Sequence, residues 1–194
     1  MKPRLATANS TDGPGAVPTD SKDPKNQIDQ FDRLYERHLD QVKRWARRLA
    51  GPTADLEDLV HDIFLVALRK GFGFRGEASI DTWLFRITHN EVRAKRRRGR
   101  LRQLLLGRNQ DTLVPPSPHT PQQELERREQ HVRLYRALDR LPDSYRTTLI
   151  LYEIEDLSSQ QIAALTETSV GSVWVRLHRG RQRLVELLAE EDRA

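Results

Sequence analysis

Prolines partition this chain. Eight of the ten fall in two short stretches, Pro3, Pro14, Pro18 and Pro24, then Pro115, Pro116, Pro118 and Pro121. Proline fixes φ and lacks an amide hydrogen, so neither stretch should run through the middle of a helix or a central strand. Residues 1–27 are also polar, glycine-spotted and aperiodic, and are expected to form a disordered tail. Residues 107–121 have the composition of an extended linker. The blocks 28–106 and 122–190 carry apolar residues stepping by threes and fours, with no strand-like alternation and no internal repeat. The expected fold is therefore all-α, two small helical domains joined by a Pro-rich linker.

In the first block, Phe31, Leu34, Tyr35, Leu39, Val42, Trp45, Ala46 and Leu49 form one buried helix face, ended by Gly51-Pro52. Leu56, Leu59, Val60, Ile63, Phe64 and Ala67 form a second, stopped by the glycines at 71, 73 and 76. Ile80, Trp83, Leu84 and Ile87 open a third, which runs into seven cations between Arg93 and Arg102 with no acid among them. Trp83 lies on the apolar stripe and is read as core. In the second block, Leu125, Val132, Tyr135 and Leu138 mark a helix ending before Pro142, and Tyr145, Thr148, Leu149 and Tyr152 mark another.

The last stretch is the most informative. Ser158-Ser-Gln-Gln161 reads as a capping box, with Ser158 at the N-cap and Gln161 at N3. A short helix with Ile162, Ala163 and Leu165 inward is followed by a break at Thr166–Ser169. A second helix then starts near Val170, with Val170, Val173, Leu177, Gly180 and Leu184 inward. Its outer side carries Ser172, Val175, Arg176, Arg179 and Arg183, flanked by Trp174, His178 and Arg181. This is the layout of a helix-turn-helix whose second helix enters the DNA major groove. Residues 139–194 hold seven arginines against ten acids, yet Ser172–Arg183 has four arginines and no acid. Positive charge is concentrated on the helix that should meet phosphates.

Composition closes off other classes. The absence of cysteine excludes a disulfide scaffold, a zinc finger and thiol-based redox sensing by the chain itself. No apolar run approaches the roughly 18 residues of a membrane span, and no secretory h-region opens the chain. The net charge of +5 says little as a total. Divided along the chain it is +1 in 1–27, +5 in 28–100, +2 in 101–138 and −3 in 139–194.

Three strings, DLEDLVHDIFL from Asp55, FRGEASIDTWLFRITHN from Phe74 and LSSQQIAALTETSVGSVWVRLHRGRQRL from Leu157, occur in this order. Together they resemble the bacterial RNA polymerase sigma factors of the extracytoplasmic-function (ECF) group, over Ile28–Arg102 and Glu124–Leu188. The resemblance implies a cytoplasmic, nucleoid-associated initiation factor with region 2 in 28–106 and region 4 in 122–190. The polar face bearing Asp58, His61 and Asp62 would dock on core RNA polymerase. Phe74, Arg75, Arg86, Asn90, Arg93, Arg96 and Arg97 would melt and hold the minus-ten element, Phe74 and Asn90 receiving a flipped base. Unstacking a base costs a few kcal/mol, so such a site needs a π-face and an amide able to read a base edge. Ser172, Trp174, Val175, Arg176, His178, Arg179 and Arg183 would read the minus-thirty-five element. The segment from Leu104 to Pro121 would thread toward the polymerase active-site cleft. Core polymerase, promoter DNA and an anti-sigma factor are the implied partners, with no cofactor, no metal and no membrane insertion.

The sequence departs from the family pattern at Trp174 and Val175, where the reading helix is usually polar. It also departs at Thr166, Gly180 and His61, which stand for the usual Gly, Ala and Gln. Two rival readings remain. Asp55, Glu57, Asp58, His61 and Asp62 could hold a divalent metal in a phosphohydrolase, but the six histidines form no i, i+3 or i+4 pair with one another and no phosphate loop accompanies them. A helix-turn-helix regulator could instead act without polymerase, binding its operator unaided.

Overall fold

The computed structural model describes residues 24–52, 54–70, 79–106, 121–191 and 193, and the regular structure among these is entirely helical. Helices α1 (Pro24–Ala50), α2 (Leu56–Arg69) and α3 (Ile80–Leu106) pack against one another as an N-terminal bundle. Its core is largely the predicted one, Val42, Trp45, Ala46 and Leu49 of α1 meeting Leu59, Val60, Ile63 and Phe64 of α2 and Leu84 and Ile87 of α3, while Phe85 and Val92 of α3 are buried without having been expected there. Trp83 is partly buried against that core. Asp55 caps α2, its carboxylate accepting from the Asp58 amide at 3.3 Å. Helix α1 begins at Pro24, so residues 24–27 belong to a helix rather than to the expected tail; proline is well suited to a first helical position, where its missing N–H has no partner to lose.

The C-terminal bundle comprises α4 (Pro121–Asp139), α5 (Asp143–Leu149), a π-helical segment (Ile150–Ile154), α6 (Ser159–Leu165) and α7 (Val170–Glu191). Pro121 likewise opens a helix, so it does not belong to a linker. The capping box is present: the Gln161 amide donates to Ser158 Oγ at 3.3 Å and the Ser158 amide to Gln161 Oε1 at 2.9 Å. The left-handed residue in the turn is Glu167, with φ of 49°. Val173, Leu177, Gly180 and Leu187 of α7 are buried. Val170 and Leu125, expected inward, are 36% and 57% exposed. Each lies at or near the start of its helix.

The two bundles pack on each other through α3 against α6 and α1 against the π-helical segment, and one hydrophobic cluster runs through both. Gly51 shows how closely they approach. It sits at φ +86°, and a Cβ added there would lie 2.6 Å from the Tyr135 ring of α4. The Tyr135 hydroxyl donates to the Arg48 carbonyl at 2.9 Å. The expected tail and linker fall in residues 1–23 and 107–120, outside the described residues.

Candidate nucleic-acid interface

One face of α3 presents Arg86, His89, Asn90, Arg93 and Arg97 at helical spacing, with Arg96 beside them. Asn90 is exposed. Most of its basic neighbours meet acids of the C-terminal bundle. Arg86 Nη1 lies 3.0 Å from Glu167 Oε1, and Arg93 Nε lies 3.9 Å from Asp143 Oδ2. Arg96 bridges Asp139 at 2.7 Å and Asp143 at 3.3 Å. His89 Nε2 sits 2.9 Å from Asp143 Oδ2 and 3.0 Å from Thr147 Oγ1. The Asp143 carboxyl is held below its ordinary value, first by the hydrogen bond from His89, then by the charges of His89, Arg96 and Arg93. Arg97 is exposed and has no ion pair among the described residues. Phe74 and Arg75 lie outside the described residues.

On α7, the predicted reading side is open to solvent. Val175, His178, Arg179 and Arg183 are exposed, and Ser172 and Arg176 are half-buried. The arginines divide into two sets. Arg181 donates from Nε to Glu153 at 2.7 Å, and Arg183 to Glu186 at 2.7 Å. Arg176 and Arg179 have no ion pair among the described residues. Ser172 is tied into the turn by Ser169, whose hydroxyl accepts from the Ser172 amide at 3.1 Å. Between the bundles, a cleft of about 550 Å³ is lined by Arg86, Asn90 and Arg93 of α3 and by Arg176 of α7. Residues of α3 and α7 thus share one cavity.

On α2, Asp58, His61 and Asp62 are exposed along one side. Leu65 and Leu68, 36% and 45% exposed, continue that side by i+3 and i+4 steps. Sequence reasoning missed them because they stand next to the apolar stripe of the same helix. It also missed Asp139, Asp143, Glu155 and Glu167, the acids that face the N-terminal bundle. Glu155 is the most enclosed of these, its side chain 5% exposed between Arg44 at 3.1 Å and Arg48 at 3.0 Å. Among the described residues no group of three or more His, Asp or Glu side chains is arranged to hold a metal ion.

Comparison with known proteins matches residues 34–102 to sigma-70 region 2 and residues 131–184 to sigma-70 region 4. Over 177 residues, 91% of this chain and 68% of the relative, it is 34% identical to the ECF RNA polymerase sigma factor SigE of Mycolicibacterium smegmatis. The chain belongs to the ECF-type RNA polymerase sigma factors. It directs RNA polymerase to promoters through its regions 2 and 4, and it is not an enzyme. Two solved sigma factors share its fold. CnrH, determined with the cytosolic domain of CnrY, is 25% identical with a TM-score of 0.54, covering 86% of this chain and 92% of that one. RpoE of Bartonella quintana, determined with the anti-sigma factor NepR, is 27% identical with a TM-score of 0.55, covering 82% and 97%. The N-terminal bundle of this sigma factor is its region 2, and the helix-turn-helix of α6 and α7 lies in its region 4. No helix among the described residues is long and apolar enough to cross a membrane.

Proposed function

We propose that three faces divide the work of initiation. The exposed side of α2, with Asp58, His61 and Asp62, docks on core polymerase, and Leu65 and Leu68 add apolar area to that contact. Asn90 holds a base of the melted minus-ten element, in a loop-and-helix site completed by Phe74 and Arg75, while Arg86, Arg93, Arg96 and Arg97 track its backbone. The outer side of α7, Ser172 to Arg183, reads the minus-thirty-five duplex. A Pro-rich linker across 107–120 connects the two readers and enters the polymerase cleft. The factor works at the nucleoid in the cytoplasm, and an anti-sigma factor holds it inactive, as NepR is bound to RpoE.

The observation that carries this reading is the state of α7. Its solvent side presents His178 and Arg179 with no ion pair among the described residues, in a domain of net negative charge. Arg181 and Arg183, by contrast, are paired with Glu153 and Glu186.

Reconstitution with core polymerase on genomic fragments tests the assignment. Specific transcripts are expected with core enzyme, and weak promoter binding without it. Asn90→Ala should impair strand opening, read by permanganate reactivity, and leave duplex protection upstream nearly intact. Arg179→Ala should weaken that protection and reduce the slope of log K against log salt by about one. Loss of opening and protection together in Asn90→Ala would refute the division of labour.

A further inference from the structure

Two residues of α7 are not explained by phosphate contact. Val175 and Trp174 are 49% and 48% exposed, Val175 in the middle of the side assigned to DNA and Trp174 at its edge. At 100° per residue, Val175 points about 160° away from the mean direction of Val173, Leu177, Gly180, Leu184 and Leu187. It therefore stands on the crest of the helix, between Arg179 on one flank and His178 on the other. Gly171, one turn earlier, shares that crest. A Cβ there would meet only Ser169 Oγ, at 3.9 Å, so no internal packing calls for a glycine. A bare backbone followed by a short branched side chain lets this crest approach another surface closely.

Trp174 is fixed in place. Its ring makes an edge contact with Tyr152, centroids 5.8 Å apart. The Arg181 guanidinium lies 5.4 Å from the Tyr152 ring centre, and Arg181 is held in turn by Glu153. One flank of the crest is thus a braced aromatic wall whose nearby cation is already neutralised.

We infer that Val175 reads the 5-methyl group of a thymine in the duplex element recognised by α7, with Trp174 as the positioning wall beside it. The inference rests on the assignment of α7 to the minus-thirty-five duplex and adds a base preference to it. In the major groove, guanine, adenine and cytosine present only donors and acceptors, whereas thymine adds an apolar group. Valine can pair with none of the polar edges, and covering one would leave it unsatisfied. A methyl is the one groove feature that gains from the contact. Valine also has a single stiff χ1, so little side-chain freedom is lost on docking.

The test uses holoenzyme assembled from the full chain and core polymerase, on a promoter recovered by transcription of genomic fragments. Each thymine of its upstream duplex element is replaced singly by uracil, which removes only the methyl. Burying one methyl group corresponds to about fourfold in affinity. One position is therefore expected to lose about fourfold with the native factor and nothing with Val175→Ser, while Arg179→Ala lowers binding to thymine and uracil duplexes alike. Circular dichroism verifies that the exposed substitution leaves the helices intact. Insensitivity to every uracil, or a methyl preference that survives in Val175→Ser, overturns the inference while the upstream assignment stands. If the holoenzyme leaves the upstream duplex unprotected even with every thymine intact, the assignment of α7 itself falls, and the inference with it.

Discussion

Gly51 carries two demands that no other residue satisfies at once. Its φ of +86° belongs to the left-handed region, and the Tyr135 ring occupies the space of its missing Cβ. Gly51→Ala is expected to cost about 1–3 kcal/mol, seen as a lower urea midpoint; an unchanged midpoint would show that neither the left-handed backbone nor the Tyr135 contact holds in solution. A different dependence attaches to Asp143. Its carboxyl is depressed in the folded chain, so its contribution is complete above the ordinary aspartate value and is lost as pH falls through the lower folded value. Bundle packing should therefore be insensitive to this group near neutrality and loosen only below about pH 4. Asp143→Asn should flatten that acid limb of a stability–pH curve. A limb of unchanged steepness would assign the acid sensitivity to another group.

Helices were legible in the sequence wherever one face is buried, because burial writes a 3.6-residue period into the chain. The cores of α1 and α2 came directly from that period. The helix-turn-helix was legible for a second reason, since Ser158 and Gln161 satisfy each other's backbone partners and so leave a local mark. Ser158→Ala should destabilise the C-terminal bundle by about 1 kcal/mol, measurable as a shift in thermal midpoint with α7 otherwise unaltered; no shift would mean that packing, not the cap, fixes the start of α6. The π-helical segment left no such mark. One wide turn has no period of its own, and the Tyr145–Tyr152 stripe reads straight through it. Its effect is nonetheless specific, because Glu155 follows it immediately and lies between Arg44 and Arg48 of α1. Phe85 escaped notice for a related reason. It is off the apolar stripe of α3 and is buried with its ring edge-on to Trp45 at 5.3 Å and stacked near His89, on the side where the other bundle packs. Contacts of that kind depend on which faces meet in space, and spacing along the chain does not encode them.

At the scale of the molecule, the two DNA readers face each other. Arg86 of region 2 is 3.0 Å from Glu167 in the turn of the helix-turn-helix, and Arg176 opens into the same cleft as Asn90. Elements named for positions ten and thirty-five lie about 25 base pairs apart, about 85 Å along B-DNA. On the proposed assignment, readers in contact cannot engage both, so this arrangement is expected to open before a promoter is bound. The acids Asp139, Asp143 and Glu167 meanwhile pair with Arg86 and Arg96, which on the proposed assignment would meet phosphates. Ion pairs of this type weaken with salt, and core polymerase, which binds the factor for initiation, can draw the equilibrium to the open form by preferring it. The chain has no cysteine, so Lys43→Cys on α1 and Val185→Cys on α7 give a uniquely labelled pair for energy transfer. The free factor should show a short distance that lengthens in holoenzyme. Glu155→Arg, which sets three guanidiniums against one another beside Arg44 and Arg48, should lengthen it without polymerase and raise affinity for a single-stranded minus-ten oligonucleotide. A distance that stays short in holoenzyme would show that the bundles act as one body, and the covering of α3 by region 4 would then have no part in controlling access to DNA.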